Sequence, residues 1–193
     1  MSFDIILPSV GRLSVFQAIE SVLHQDYSDW HLWIVCDGMK GLDRAIGDSR
    51  VTVLGSDVPQ HGDFGAWARN TGIAAGQNPW IAYIDDDDVW LTNHLSTITS
   101  LHESNPHATM IHTAGQSFYL RRKSPRSKER VFKLGQVNII DVLTVGMSHT
   151  RELFNRTNGW QPRDNHDKLL WNEMLSLGGS PLVDNAVTFQ FAR

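Results

Sequence analysis

Along the first hundred residues, short apolar runs alternate with stretches whose apolar residues recur at helical spacing. Phe3-Asp4-Ile5-Ile6-Leu7 is an apolar run stopped by Pro8, which predicts a buried strand. From Leu13 to His24, the residues Leu13, Phe16, Ile19, Val22 and Leu23 lie on one helical face. His31–Cys36 predicts a second strand closed by Asp37-Gly38, and Val51–Leu54 a shorter third. Asp63–Ala75 predicts a helix stopped by Gly76, with Pro79 soon after. Trp80–Ile84 predicts a fourth strand that runs straight into four aspartates, and a helical pattern resumes over Leu95–Leu101. The second half is less regular. Strands are predicted at Thr109–His112, Gln116–Leu120, Val145–Thr150 and Ala186–Phe191, and a helix over Asp167–Leu177 ended by Gly178-Gly179. The polar, basic stretch Arg121–Arg130 contains Pro125 and reads as a loop.

Apolar strands alternating with helices imply a mostly parallel sheet covered on both faces, an α/β fold. Ligands of such sheets bind beyond the carboxyl ends of the strands. Asp37 and the run Asp85–Asp88 both stand at such ends, so the pattern alone puts them on one rim.

Composition narrows the function classes. A chain of 193 residues is expected to form a single domain over 1–193. Seventeen Lys and Arg against 21 Asp and Glu give a net charge of −4, which argues against nucleic acid as a partner. The single cysteine, Cys36, excludes a disulfide framework and reads as a small buried hydrophobe. No run of about 18 apolar residues and no basic-then-apolar N-terminus is present, so a cytoplasmic location is expected.

Asp85-Asp86-Asp87-Asp88 carries the strongest chemical signal. Two carboxylates about 6 Å apart repel by roughly 3 kcal/mol at an effective dielectric near 20. Four in succession need water, protons or a cation. Oxygen-only ligands suit Mg²⁺ or Mn²⁺, which complete their shells with water and phosphate oxygens. A solvated acidic turn capping the next helix is the competing explanation. The apolar strand before the run and Trp90 after it favour a site.

Five segments then occur in one order: Ile6-Leu7-Pro8-Ser9-Val10-Gly11-Arg12, Ala18–Tyr27, Ile34-Val35-Cys36-Asp37-Gly38, Ala68-Arg69-Asn70-Thr71-Gly72-Ile73 and Tyr83–Trp90. Together they resemble family 2 glycosyltransferases of the GT-A fold, a Rossmann-like α/β sandwich. The resemblance is close over 3–102 and looser over 145–177. It implies a nucleotide-sugar-binding half at 1–102 and an acceptor-side half at 103–193. It also implies roles. Pro8 and Ser9 would line the nucleotide, Asp37 would bond the donor base, and Arg69 would sit near base or diphosphate. Asp85-x-Asp87 matches the DXD motif, with Asp85 facing ribose or metal, Asp86 beside the nucleotide and Asp87 on the metal. The donor would be a nucleotide-diphosphate sugar, a UDP-sugar foremost. The acceptor would be a glycan, a lipid-linked sugar or a small molecule. The chain departs from the family pattern at Cys36 and at Ser9-Val10-Gly11-Arg12, where an aromatic that could stack on the base is replaced by Val10.

Inverting members of this family carry a carboxylate base before an acceptor-side helix, usually in a Glu-Asp pair. Asn165-His166-Asp167-Lys168-Leu169-Leu170-Trp171 is the matching stretch, with His166 in place of the first acid. Asp167 is thus the expected catalytic base, and Asp164 competes with it. His149, at the end of a predicted strand, is a candidate metal ligand. Trp160 and Trp171 could stack on sugar, though core packing is their default. The basic stretch could meet an anionic acceptor or membrane surface, and a solvated loop is the alternative. A nucleotidyltransferase, a non-catalytic sugar-nucleotide or glycan-binding module and a sugar-nucleotide hydrolase are the rivals. The short second half implies an open acceptor side, or one closed by a partner copy in a homo-oligomer.

Overall fold

The structure is a computed structural model and describes residues 1–38, 47–56, 63–118, 130–132 and 143–192. Its strands are β1 (Phe3–Ser9), β2 (Trp30–Asp37), β3 (Val51–Ser56), β4 (Trp80–Tyr83), β5 (Asp88–Trp90), β6 (Met110–Phe118), β7 (Arg130–Phe132), β8 (Met147–Thr150) and β9 (Pro181–Ala192). Its helices are α1 (Val15–Leu23), α2 (Ala66–Ala75), α3 (His94–Ser104), α4 (Arg151–Phe154) and α5 (His166–Ser176).

All nine strands join one sheet, in the order β3-β2-β1-β4-β8-β6-β9-β5, with β7 paired to β6. The pairs β1–β2, β2–β3, β1–β4 and β6–β9 are parallel. The pairs β4–β8, β6–β8, β5–β9 and β6–β7 are antiparallel. Six strands therefore run one way, and β5, β7 and β8 run against them. The sheet is mostly parallel, as its apolar strands predict, with antiparallel members confined to the half beyond β4.

Both faces are covered. Phe3, Ile5 and Leu7 of β1 pack with Val15, Ile19 and Val22 of α1 and with Leu95 and Ile98 of α3. Ile6, one position out of step, faces the other side among Ile73 of α2, Tyr83, Trp160, Leu170 and Trp171. A strand buried on both faces cannot show polar alternation, so β1 and β2 read as continuous apolar runs. Trp160 and Trp171 are core residues at 2% and 0% exposure, and Cys36 is buried as expected. Among the described residues no helix is long and apolar enough to cross a membrane.

Several predicted elements are redrawn. The helix predicted from Asp63 starts only at Ala66, because Phe64 and Gly65 are left-handed (φ 56° and 75°) and α-helix cannot include them. The two strands predicted at Thr109–His112 and Gln116–Leu120 fall on one continuous strand, β6, as far as Phe118; residues 119 and 120 lie outside the described residues. The strand predicted from Val145 begins at Met147, after a 3-10 turn over Thr144–Gly146. The stretch 121–129, most of the predicted basic loop, lies outside the described residues.

Candidate active site

The carboxyl ends of β1, β2 and β4 open onto a cleft of about 520 Å³. Pro8, Ser9, Asp37, Arg69, Asp85, Asp86 and Asp87 all line it, so seven residues singled out in the sequence share one place. Parallel pairing explains the convergence. The register that sets Ser9 opposite Cys36 and Ile6 opposite Tyr83 brings three strand ends to one rim.

The aspartate run does not act as one cluster. The Asp88 N–H donates to the Asp85 carbonyl at 3.1 Å, closing a turn that points the four side chains to different places. Asp88 is buried at the start of β5. Asp86 is 3% exposed and engaged. Its Oδ2 accepts from the Ser9 hydroxyl at 3.0 Å and the Val10 N–H at 3.2 Å. Its Oδ1 accepts from Arg12 at 2.7 Å. These bonds tie the turn after β4 to the turn after β1. Asp85 accepts from Arg69 Nη2 at 2.5 Å. Asp87 is the open member, 42% exposed, with Arg12 at 3.1 Å. Partial burial, reinforced by the charges of Asp85 and Asp86, holds its carboxyl above the usual carboxylate range against the pull of Arg12.

Helix α2 builds the back wall. Arg69 is buried, with its guanidinium 4.8 Å from the Trp160 ring centre. Its Nη1 donates to the Phe64 carbonyl at 2.8 Å while Nη2 holds Asp85. The next residue, Asn70, exchanges two bonds with the Trp160 backbone, at 2.9 and 3.0 Å. The Arg-Asn pair thus fastens the cleft to the turn leading into α5. Gly65 keeps this approach open, since a Cβ there would stand 2.8 Å from Arg69 Nη1.

The acceptor-side expectations fare unequally. His166 lines the cleft; sequence reasoning missed it because the expected residue there was an acid. Its ring packs against Phe64 and Trp160, with centroids 6.2 and 5.1 Å away. Burial first, then the Arg69 charge, lower its pKa below the ordinary histidine value, so the ring is neutral at neutral pH. Asp167, one residue on, is half-buried in the first turn of α5, and its Oδ1 accepts from the Lys168 N–H at 2.8 Å. It is beside the cleft rather than among the residues lining it.

The structure does not bring His149 to the cleft. Its ring is buried, stacked on Phe154 and bonded on both nitrogens. The Thr150 carbonyl, 3.1 Å from Nδ1, can only accept, so Nδ1 carries the proton and the Tyr83 hydroxyl donates to Nε2 at 2.7 Å. Burial lowers its pKa to about 4. A histidine committed in this way has no lone pair left for a metal.

No three His, Cys, Asp or Glu side chains among the described residues form a cage for a metal ion. The donor set still fits a hard divalent cation of the kind held by one or two carboxylates plus phosphate oxygens and water. Asp87, 42% exposed with Arg12 on Oδ2, and its neighbour Asp85, 31% exposed with Arg69 on Oδ1, would supply the carboxylate oxygens for it.

Fold and cleft together define a mostly parallel α/β sheet with an acidic cleft at the carboxyl ends of its strands. A model of glycosyl transferase family 2 matches residues 4–160, and the chain belongs to that family. Among curated relatives, one from Escherichia coli K12, WcaA, is provisionally named a colanic acid biosynthesis glycosyl transferase. It is 38% identical over 101 residues, 48% of this chain and 35% of its own length. The Escherichia coli β-1,3-glucosyltransferase WfgD, named for UDP-Glc and α-D-GlcNAc-diphosphoundecaprenol, is 34% identical over 106 residues, 51% of this chain and 40% of its own. This chain thus spans well under half the length of these relatives. Among solved structures, residues 1–349 of Staphylococcus aureus TarS in complex with UDP-GlcNAc superpose with a TM-score of 0.80 at 14% identity, covering 100% of this chain and 59% of that fragment. The Pyrobaculum calidifontis mannosyltransferase PcManGT, solved with GDP-Man and Mn²⁺, gives 0.75 at 14% identity, covering 99% and 56%.

Proposed function

We propose that the protein transfers a sugar from a nucleotide-diphosphate sugar to an acceptor hydroxyl, with Mn²⁺ or Mg²⁺ and with inversion at the anomeric carbon. The carrying observation is the gathering of Asp37, Arg69, Asp85 and Asp87 into one cleft at the strand ends of a family 2 chain. A UDP-sugar is the first candidate donor. The TarS complex and the name of WfgD, both concerned with UDP-sugars, support it.

In this reading Asp37 bonds the base, and Ser9 and Pro8 line the nucleotide. Arg69 holds Asp85 in place and supplies positive charge near the diphosphate. Asp87 and Asp85 would hold the divalent ion, which offsets the charge growing on the departing diphosphate. Asp167 takes the proton of the acceptor hydroxyl as its oxygen attacks the anomeric carbon and the bond to the diphosphate breaks. Its place in the first turn of α5, next to the cleft-lining His166, supports that role. The acceptor is a hydroxyl on a glycan, a lipid-linked sugar or a small molecule. A cytoplasmic location belongs to the same reading, and a chain with one cysteine has no internal disulfide that would require an oxidising compartment.

Product analysis tests it. Incubation with a UDP-sugar, Mn²⁺ and a panel of sugar acceptors should release UDP and form a glycoside of inverted configuration by NMR. Release of pyrophosphate would indicate nucleotidyl transfer, and turnover with water alone a hydrolase. Asp167→Asn should abolish transfer and leave UDP binding intact; transfer surviving in that variant would remove Asp167 as the base.

A further inference from the structure

Phe64 is an aromatic side chain left 55% exposed on the rim of the cleft. Its backbone is left-handed, at φ 56°. For a bulky residue this is a strained conformation that glycine adopts freely. The surroundings enforce it. Arg69 Nη1 donates to its carbonyl at 2.8 Å. Asp63 just before it accepts from the Gly65 N–H at 2.8 Å and the Trp67 N–H at 2.7 Å. The chain thus uses three bonds to hold an aromatic ring where it is neither relaxed nor buried. Packing does not account for this, because the contact with His166 leaves more than half of the side chain uncovered. Strain retained at a ligand cleft points to a ligand.

Position indicates which part of the ligand. Helix α2 packs against β1 and β2, so the turn at its start stands over their carboxyl ends. Ser9, Val10 and Asp37 line the cleft at those ends. Val10 is also apolar and 54% exposed. Arg69 separates Phe64 from Asp85, holding one with each terminal nitrogen. The cleft thus carries carboxylates at the Asp85–Asp87 turn and one exposed aromatic face, Phe64, across Arg69 from Asp85. A molecule with a phosphate–cation part and a flat ring matches that pairing. We infer that Phe64 is the platform on which the donor's nucleobase stacks, an inference that rests on the nucleotide-sugar reading above.

Stacking of a base on an aromatic side chain contributes about 1–3 kcal/mol by alanine substitution, or roughly 5- to 150-fold in affinity. The experiment is calorimetric titration of wild type, Phe64→Ala, Phe64→Tyr and Phe64→Gly with UDP, GDP, UDP-glucose and inorganic pyrophosphate, all with Mn²⁺. Phe64→Ala and Phe64→Gly should lose at least about fivefold in affinity for the nucleoside diphosphate that binds wild type, and Phe64→Tyr should retain it. Pyrophosphate affinity should not change. Phe64→Gly should also melt higher than wild type, because glycine relieves the left-handed strain. A purely structural phenylalanine would give the opposite melting shift. Unchanged nucleoside diphosphate affinity in Phe64→Ala would overturn the inference and leave the nucleotide-sugar reading standing. A loss seen with UDP-glucose but not with UDP would overturn it too, placing the ring against the sugar. Failure of wild type to bind either nucleoside diphosphate would overturn both.

Discussion

At the scale of single residues, the cleft separates charges that hold the fold from charges left for a ligand. Asp86 is buried and committed to Ser9, Val10 and Arg12, whereas Asp85, held through Oδ1 by Arg69, and Asp87, beside Arg12, are more open to the cleft. This predicts a division between function and stability. Asp87→Asn should lose most of the Mn²⁺-dependent part of nucleotide affinity, at least about tenfold by titration. The same variant should melt slightly higher than wild type at neutral pH. The folded-state pKa of Asp87 is raised, so its ionised form opposes folding above that pKa, and the gain should vanish as pH falls through it. An unchanged metal response would remove Asp87 from the site. At this scale the sequence was most informative for the cleft residues of the first half, where strand-end acids and the Ala-Arg-Asn stretch were legible. It was least informative for His166 and His149. A histidine in the first turn of a helix and one in a strand look alike in sequence. Only packing tells the cleft-lining ring from the one bonded on both nitrogens.

At the scale of elements, a buried ion pair ties the two halves of the chain. Asp4 on β1 is 1% exposed. Arg151, the first residue of α4, donates to its Oδ2 at 2.6 Å. Asn78 and Trp33 complete the shell, at 2.7 Å from the Asn78 N–H to Oδ2 and 2.9 Å from Trp33 Nε1 to Oδ1. Gly76 stands beside it because a Cβ would lie 2.2 Å from the carboxylate. Removing one partner of a buried pair leaves an uncompensated charge, so Asp4→Ala should cost about 3–5 kcal/mol in urea unfolding. Nucleotide affinity of the folded variant should be unchanged, since Asp4 is at the far end of β1 from the cleft. The elements that the sequence concealed share a cause: polar residues satisfied inside the sheet. Thr113 interrupts the apolar pattern of β6, yet it is buried and accepts from the Thr188 hydroxyl at 2.7 Å. One strand therefore looked like two. Asp88 concealed β5 by extending an acidic run into a strand. In the first half Asp4 is such a residue too, but it sits near the start of β1 and leaves the apolar run Ile5-Ile6-Leu7 unbroken, and those strands were predicted to within a residue or two at most ends.

At the scale of the whole molecule, one sheet spans both halves, because β4 pairs with β8. His166 and Asp167 of the second half are thereby built on the same frame as the aspartates and Arg69 of the first. Among the described residues three histidines are buried against or within it, His94 on α3, His112 on β6 and His149 on β8. Burial lowers the pKa of His94 to about 3, and those of His112 and His149 to about 4. In the unfolded chain they titrate near 6.5. The unfolded state thus binds more protons between those values, so this contribution is fully present above about pH 6.5 and is lost as pH falls towards 4 and below. Melting temperature should drop steadily over that window. A profile flat from pH 6.5 to 4 would show that these rings are not buried in their neutral form.

The central claim is that the acidic cleft binds a nucleotide-diphosphate sugar through a divalent cation, and thermal unfolding reads it directly. Wild type is melted with a panel of UDP- and GDP-sugars, each with and without Mn²⁺. A ligand at about 100 times its Kd contributes roughly 2.7 kcal/mol, which for a chain of this size raises Tm by several degrees. The account predicts such a rise for at least one nucleotide sugar with Mn²⁺, and a much smaller one without the metal. A melting temperature unmoved by every nucleotide sugar, with or without Mn²⁺, would contradict it.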